Sequence, residues 1–417
     1  MKVLLIGSGG REHALAQALK RDPQSEELHA APGNPGIANF AALHAIDTDD
    51  NSAVVALAQL LEIDLVVIGP EKPLVNGLAD SLRSAGIATF GPSAMAASLE
   101  GSKDFAKQVM RDAGVPTARS FTCTTKSEME AALDAFGAPY VVKHDGLAAG
   151  KGVVVTSDRQ VALDHAYLSP RVVIEEFLDG PEISLFGISD GTTILALQPA
   201  QDFKRALDGD LGPNTGGMGA YSPLPWAPLD IEERTLREVL KPTIAEMQAR
   251  DTPFIGLLYA GLALTSKGLK VIEFNARFGD PETQVLLPRL KTPLATLLYK
   301  AATGRLHEAA PLEWLEEAAV TVVLAAEGYP ATPVVGDPVT GIGSVEDAFV
   351  YQAGTALQGG ILCSSGGRVL AVTGVGETLT DARLRAYNAI SALSLRGSYY
   401  RSDIALAAST ADKVREN

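Results

Sequence analysis

The stretch VVKHDGLAAGKGVVV, residues 141–155, sets two lysines around a run of small residues. Backbone N–H groups in such a loop can approach phosphate oxygens closely. Lys143 ends an apolar run and Lys151 sits at the tip of the loop, so both suit a polyphosphate. The spacing is not that of a P-loop. Only three residues separate Gly146 from Gly150, and Gly152 stands where a Ser or Thr would bind magnesium. A second apolar run follows, so the loop is expected to turn a β-hairpin rather than open a helix. Gly146, Gly150 and Gly152 with the two lysines form a candidate phosphate cradle. A flexible surface hairpin is the bland alternative.

A second constellation is KVIEFNARFGDPETQ. Glu273 and Asn275 share one face of an expected strand, with Phe274 on the other. A carboxylate and an amide oxygen on one face suit magnesium, which takes hard oxygen ligands and completes its shell with phosphates. Arg277 has the same parity and could meet a developing anion. In VVIEEFLDGPEISL, Glu175, Glu176, Phe177 and Leu178 form a strand-to-linker crossing that could hold an adenine, and Glu182 could accept from ribose hydroxyls. Taken alone, that crossing reads better as an ordinary strand end.

Residues 200–223 are polar and glycine-rich, with Asp202, Lys204 and Arg205 near their start. Loops of this length are usually functional or disordered, and Met218 and Tyr221 argue against a linker. A substrate-covering loop is expected. At the N-terminus, Gly7, Gly9 and Gly10 follow an apolar strand and open a helix, an anion site in outline. Glu12 stands where a dinucleotide fingerprint needs a glycine, and no acidic residue follows the second strand. A dinucleotide-dependent oxidoreductase is therefore disfavoured, and a smaller phosphate ligand fits better. Asn34 and Glu71 follow other strands at the same rim.

These residues need elements to position them. KVLLIG and DLVVIGP read as buried parallel strands, with REHALAQALKR, NSAVVALAQLLE and PLVNGLADSLRSAG as helices between and after them. That is a doubly wound α/β pattern. SKDFAKQVMRDAGVP reads as a helix capped by Ser102, residues 232–250 as a long helix despite Pro242, and LLYAGLALTSKGLKVIEFN as a hairpin turning at Ser266–Gly268. From about residue 312 the texture suggests a small α+β domain.

The 417 residues are 46% hydrophobic and 20% charged, as in a globular protein. A net charge of −15 argues against nucleic acid as a partner. No apolar run reaches the roughly 18 residues of a membrane span. MKVLLIGSGG is too short to be a signal peptide. Cys123 and Cys363 have no spacing partners, so a cytoplasmic location fits.

GSGGREHA, APGNPG, GPEKPLVNGLAD, LEGSKDFAK, DGLAAGKGV, VIEEFLDGPE, GPNTGGMGAYSP and EFNARFGDPETQ occur in this order, followed by SSGGRVLAVT. In these blocks the chain resembles the glycinamide ribonucleotide synthetases, the phosphoribosylamine–glycine ligases, over almost its whole length. The resemblance implies an ATP-grasp fold. Residues 1–100 would form the N-terminal substrate domain, 101–310 the ATP-grasp region with a lid at about 119–182, and 311–417 the C-terminal α+β domain.

It also implies that ATP, glycine and 5-phosphoribosylamine give ADP, phosphate and glycinamide ribonucleotide through glycyl phosphate, a step of purine synthesis. Lys103, Lys143, Lys151 and the 146–152 loop would hold ATP phosphates, and Glu175–Leu178 with Glu182 the adenosine. Glu273 and Asn275 would bind magnesium or manganese. Arg277, Lys151 and Asp202 would be catalytic. Gly9, Gly10, Asn34 and Glu71 would line the phosphoribosylamine site, with Asp202, Lys204, Arg205 and Asp280 closing around the acceptor. A monomer acting on small molecules is expected.

The chain departs from the family at His144, commonly Ala, at Phe203, commonly His, and in a short 158–171 segment. Another ATP-grasp ligase and a non-catalytic nucleotide sensor are the rivals. The first need not have GSGGREH, and the second should lack the Glu273–Asn275 pair.

Overall fold

The computed structural model describes residues 1–147 and 152–415, the last five of these by their backbone alone. At the N-terminus the strands Ala42–Leu43, Glu27–Pro32, Lys2–Gly7, Leu65–Ile68 and Ala88–Phe90 lie in that order in one sheet. Every pairing is parallel. Val3–Ile6 and Leu65–Ile68 are buried throughout, as apolar runs covered on both faces must be. The strand order reverses between Lys2–Gly7 and Leu65–Ile68, so their carboxyl ends open a crevice. Helix Gly10–Arg21 leaves one side of it and helix Glu71–Val75 the other.

The single helix expected over PLVNGLADSLRSAG is two. Gly77, at a φ of +79°, separates Glu71–Val75 from Leu78–Ser84. Asn76–Gly77 is a turn signal that the helical spacing of apolar residues masked.

The central region carries two antiparallel sheets. Ser120–Cys123, Val172–Glu175, Tyr140–His144 and Val153–Thr156 form one. Helices Lys126–Phe136 and Arg159–Ala166 pack on it through Leu133, Ala162, Val142 and Ile174. Ile194–Ala196, Glu182–Asp190, Ile255–Thr265 and Gly268–Asn275 form the other, its hairpin closing at Thr265–Gly268. The helical run over 231–249 passes Pro242 by way of a wider turn at Leu236–Leu240. There Lys241 N–H reaches the Leu236 carbonyl, which accommodates the donor that proline lacks.

A further sheet joins regions that the sequence reading kept apart. Gln201–Asp202 and Gly219–Ser222 lie beside Ala318–Ala325, Arg368–Gly376 and Phe349–Gln352. The segment expected as an irregular covering loop thus holds strands, including the hairpin Arg205–Leu207 with Leu211–Asn214. It is hydrogen-bonded to the C-terminal part of the chain across the expected boundary at 311.

Candidate active site

A cavity of about 330 Å3 lies among the N-terminal crevice, the two central sheets and the sheet shared with the C-terminal region. One wall is the end of strand Gly268–Asn275. Glu273 and Asn275 face the cavity, and Phe274 packs into the core. The strand stops at Asn275, and Arg277 folds back over it. Its Nη2 donates to Asn275 Oδ1 at 3.3 Å and lies 3.2 Å from Glu100 Oε1. Glu100 Oε2 accepts the Ala276 N–H at 2.8 Å. Glu71 Oε2 stands 3.6 Å from Arg277 Nε and 4.0 Å from Arg11 Nη2. Burial opposes charge on Arg277, but Glu100 and Glu71 outweigh it and raise its pKa. Burial also opposes ionisation of Glu71, yet Arg11 and Arg277 hold that carboxyl below its usual range. At Glu100 burial wins, and the carboxyl is pushed up despite Arg277.

The opposite wall carries lysines. Lys143 and Lys107 each place Nζ 3.1 Å from Glu175 Oε2, and Lys143 also donates to the Ile272 carbonyl at 3.0 Å. Burial lowers Lys107 to about 8, with Glu175 opposing. Lys103 Nζ donates to the Gly146 carbonyl at 2.9 Å, and its backbone N–H donates to Asp145 Oδ1 at 2.7 Å. Gly146 and Gly152 line the cavity. Gly150 and Lys151 lie outside the described residues.

Asp202 and Lys204 line the cavity from the segment shared with the C-terminal sheet. Burial pushes Asp202 up to about 7 against the pull of Lys204, with Glu282 and Glu182 adding to the rise. Glu182 is exposed and bonds to Lys204 Nζ at 3.0 Å. Arg205 turns away and donates to the Gly212 carbonyl. The crossing 175–178 divides. Glu175 faces the lysines, whereas Glu176 points outward to Arg119 and Lys270 and is held at about 2: those two cations overcome its partial burial. Phe177 is exposed and Leu178 half-buried.

At the N-terminal rim the outcome differs from the sequence expectation of an open anion site. Glu12 bends back, and its Oε2 accepts the Gly9 N–H at 2.7 Å, so the chain's own carboxylate caps the helix. Gly10 is buried against Gln284 and Ala353. Asn34 has its amide committed: Nδ2 donates to the Ser8 and Gln352 carbonyls, and Oδ1 accepts the Gly36 and Ile37 N–H groups. Glu71 and Asp280 do reach the cavity. Asp280 bonds to Arg368 Nη2 at 3.1 Å. Burial opposes its ionisation, but Arg368 and Arg11 keep it low.

Arg11, Glu100, Lys107, Tyr259, Glu282 and Arg368, none of them expected from the sequence as site residues, also line the cavity. Lys107 had a signal, since it stands one helical turn after Lys103. Arg368 had none, because only the tertiary fold brings it to Asp280.

The donor set fits a hard cation. Glu273 is half-buried among cations, and among the described residues its carboxylate accepts no hydrogen bond. Burial opposes its charge, but Lys204, Lys143 and Lys103 hold its pKa down. Among the described residues no group of three His, Cys, Asp or Glu side chains could hold a metal alone. Nucleotide phosphates would complete the shell, as is usual for magnesium.

Two antiparallel sheets closing over a polyphosphate-sized cavity lined by charged side chains of both signs define the class: an ATP-grasp enzyme, with a doubly wound N-terminal domain and a C-terminal α+β domain. Residues 1–100, 101–283 and 319–407 match the N domain, the ATP-grasp (A) domain and the C domain of phosphoribosylglycinamide synthetase. The chain belongs to the phosphoribosylglycinamide synthetase family. It is 62% identical to the phosphoribosylamine–glycine ligase of Streptomyces coelicolor over 99% of this chain and 100% of that one. Identity with the Leifsonia xyli ligase is 56%, over 97% and 99% of the two chains. The crystal structure of the Thermotoga maritima ligase matches with a TM-score of 0.83 at 33% identity, over 97% of this chain and 100% of that one. The biotin carboxylase domain of Hydrogenobacter thermophilus 2-oxoglutarate carboxylase shares the fold, with a TM-score of 0.73 at 16% identity over 96% and 91%.

Proposed function

We propose that this chain joins glycine to 5-phosphoribosylamine, with ATP cleaved to ADP and phosphate, to give glycinamide ribonucleotide in de novo purine synthesis. A glycine carboxylate oxygen takes the γ-phosphoryl group and forms glycyl phosphate. The amine of phosphoribosylamine then attacks the glycyl carbonyl and expels phosphate. The observation that carries this reading is the convergence of two charge sets on one cavity. Lys103, Lys143 and Arg277 suit the transferring phosphoryl group, and Arg11, Glu71, Asp280 and Arg368 suit a phosphosugar amine. Phosphoryl transfer is mostly positioning and charge neutralisation, which these residues supply. Bound magnesium would add charge neutralisation at the phosphates, with Glu273 and Asn275 as its protein ligands.

In this reading Gly146 and Gly152 border the phosphates, and the backbone of 175–178 borders the adenine. Asp202 and Lys204 close over the acceptor. Glu12 and Asn34 shape the phosphoribosylamine site by fixing the loops at Gly9 and Gly36. The enzyme works in the cytoplasm as a monomer on small molecules, with neither nucleic acid nor membrane as partner. No helix among the described residues is long and apolar enough to cross a membrane.

ADP release should require glycine and phosphoribosylamine together. Equal release with either substrate omitted, or with alanine in place of glycine, would sink the assignment. Sedimentation at the mass of two chains would refute the monomer.

A further inference from the structure

His144 directly follows Lys143, and its ring stacks on His165 of helix Arg159–Ala166. The ring centroids are 4.1 Å apart and the planes 14° apart. His144 Nε2 lies 2.9 Å from the His165 carbonyl oxygen, and His165 Nε2 lies 3.2 Å from the Gly152 carbonyl oxygen. A carbonyl only accepts, so both Nε2 atoms carry protons and both tautomers are fixed. The His144 backbone N–H donates to the same Gly152 carbonyl at 2.7 Å. Gly152, a cavity-lining residue, is thus held by two donors, one of them supplied by a helix on the far side of the sheet edge.

We propose that His144 and His165 are a positioning pair that fixes Gly152 beside Lys143 and so tunes the affinity for nucleotide phosphates. The inference rests on the reading that this wall of the cavity receives ATP.

The pair also makes that affinity sensitive to pH. Neutral rings stack readily, whereas two imidazolium rings at this separation repel. Burial, with His144 as a further cause, holds His165 below its ordinary value against the opposing hydrogen bond to the Gly152 carbonyl. A histidine depressed in the folded state favours the stacked arrangement at higher pH and opposes it as the pH falls below about 6.5. Neighbouring charges already have partners. Arg159 pairs with Asp134, Asp164 with Gln160, Lys143 with Glu175, and Asp145 with Arg171. Glu130 accepts from Tyr167, Lys126 lies over the Tyr167 ring, and Glu128 caps its own helix.

The test reads the dissociation constant of ATP by calorimetry between roughly pH 8 and pH 5.5. Wild type is compared with H144A, H165A and H165Q, each first checked for native circular dichroism. H165A should bind ATP about threefold more weakly at the upper pH, as expected for one lost hydrogen bond. H165Q, whose amide can still donate to Gly152, should recover most of that loss. From the upper to the lower pH, wild type should weaken about fivefold more than H144A or H165Q. Titration of the nucleotide's own phosphate is common to all variants and cancels in the ratio. Unchanged affinity in H165A, an acid weakening that persists in both H144A and H165Q, or equal effects on adenosine would overturn the proposal. Binding is read rather than turnover, so a chain that failed to couple glycine to phosphoribosylamine would still report on the pair. Absence of measurable ATP binding would overturn both readings.

Discussion

Two glycine loops leave the ends of apolar strands in this chain, and their surroundings are opposite. After Gly7 the chain enters a helix, and the space made by the glycines is filled from within. A Cβ on Gly7 would lie 2.6 Å from Glu12 Cγ, and one on Gly69 would lie 2.2 Å from Glu12 Oε1. Arg11 Nε holds the same carboxylate at 2.6 Å. The helix N-terminus, with its partial positive charge, has received an anion that the chain itself supplies. After Lys143 the chain turns toward another strand. Among the described residues, a Cβ on Gly146 would meet nothing within 4 Å, although its φ of +136° favours glycine. Lys103 and Lys143 stand beside it on the cavity. Glycines permit a close approach in both loops. The neighbouring charges decide whether a side chain or a ligand makes it.

Glu273→Ala should sharpen this contrast most strongly. It removes the carboxylate that faces the lysine wall, and turnover should fall by about 10²-fold or more, since metal stabilisation of a phosphoryl group is worth several kcal/mol. Some thermal stability should be lost as well, because the lysines that hold this carboxyl low would lose that partner. Steady-state ADP release against magnesium concentration checks it, and full rescue by excess metal would reassign the residue.

Gly7→Ala should act through the fold. Its φ of +127° and the contact with Glu12 both oppose a Cβ. A loss of about 3 kcal/mol in urea unfolding is expected, with the KM for ATP preserved in the folded fraction. Gly146→Ala, with no neighbour to clash with among the described residues, meets the φ penalty, about 1 kcal/mol. Its larger effect should be on ATP, with KM raised roughly tenfold, as for loss of a charge-assisted hydrogen bond. Equal stability losses in the two glycine variants would break the comparison.

The smallest effect concerns Asp202. Its carboxyl is raised to about 7 by burial, so folding favours its protonated form. Stability from this group is complete below the unfolded carboxylate range and is lost as the pH rises through about 7. Asp202→Asn should therefore gain thermal stability relative to wild type on going from acid to pH 8. A constant difference across that range would show that Asp202 does not titrate there.

Much of this was legible in the residues. Period-two patterning placed Glu273 and Asn275 on one face, because alternation in a strand is geometric and local. The strand after Gly152 separated the central loop from a P-loop for the same reason. The helix break at Gly77 and the strands within 201–222 were less visible, since short elements take their stability from neighbours rather than from their own pattern.

The order of elements, the doubly wound start, the glycine runs, and the acidic and basic residue types at strand ends were all readable along the chain. These follow from periodicity, steric permission and chain connectivity. Which charges meet depends on the packed fold. It seated Glu12 in the N-terminal loop, joined Arg368 to Asp280 from 88 residues away along the chain, and paired strand Gly219–Ser222 with Ala318–Ala325. It also stacked His144 on His165. Such contacts depend on how separate sheets pack, and no local period in a chain encodes that.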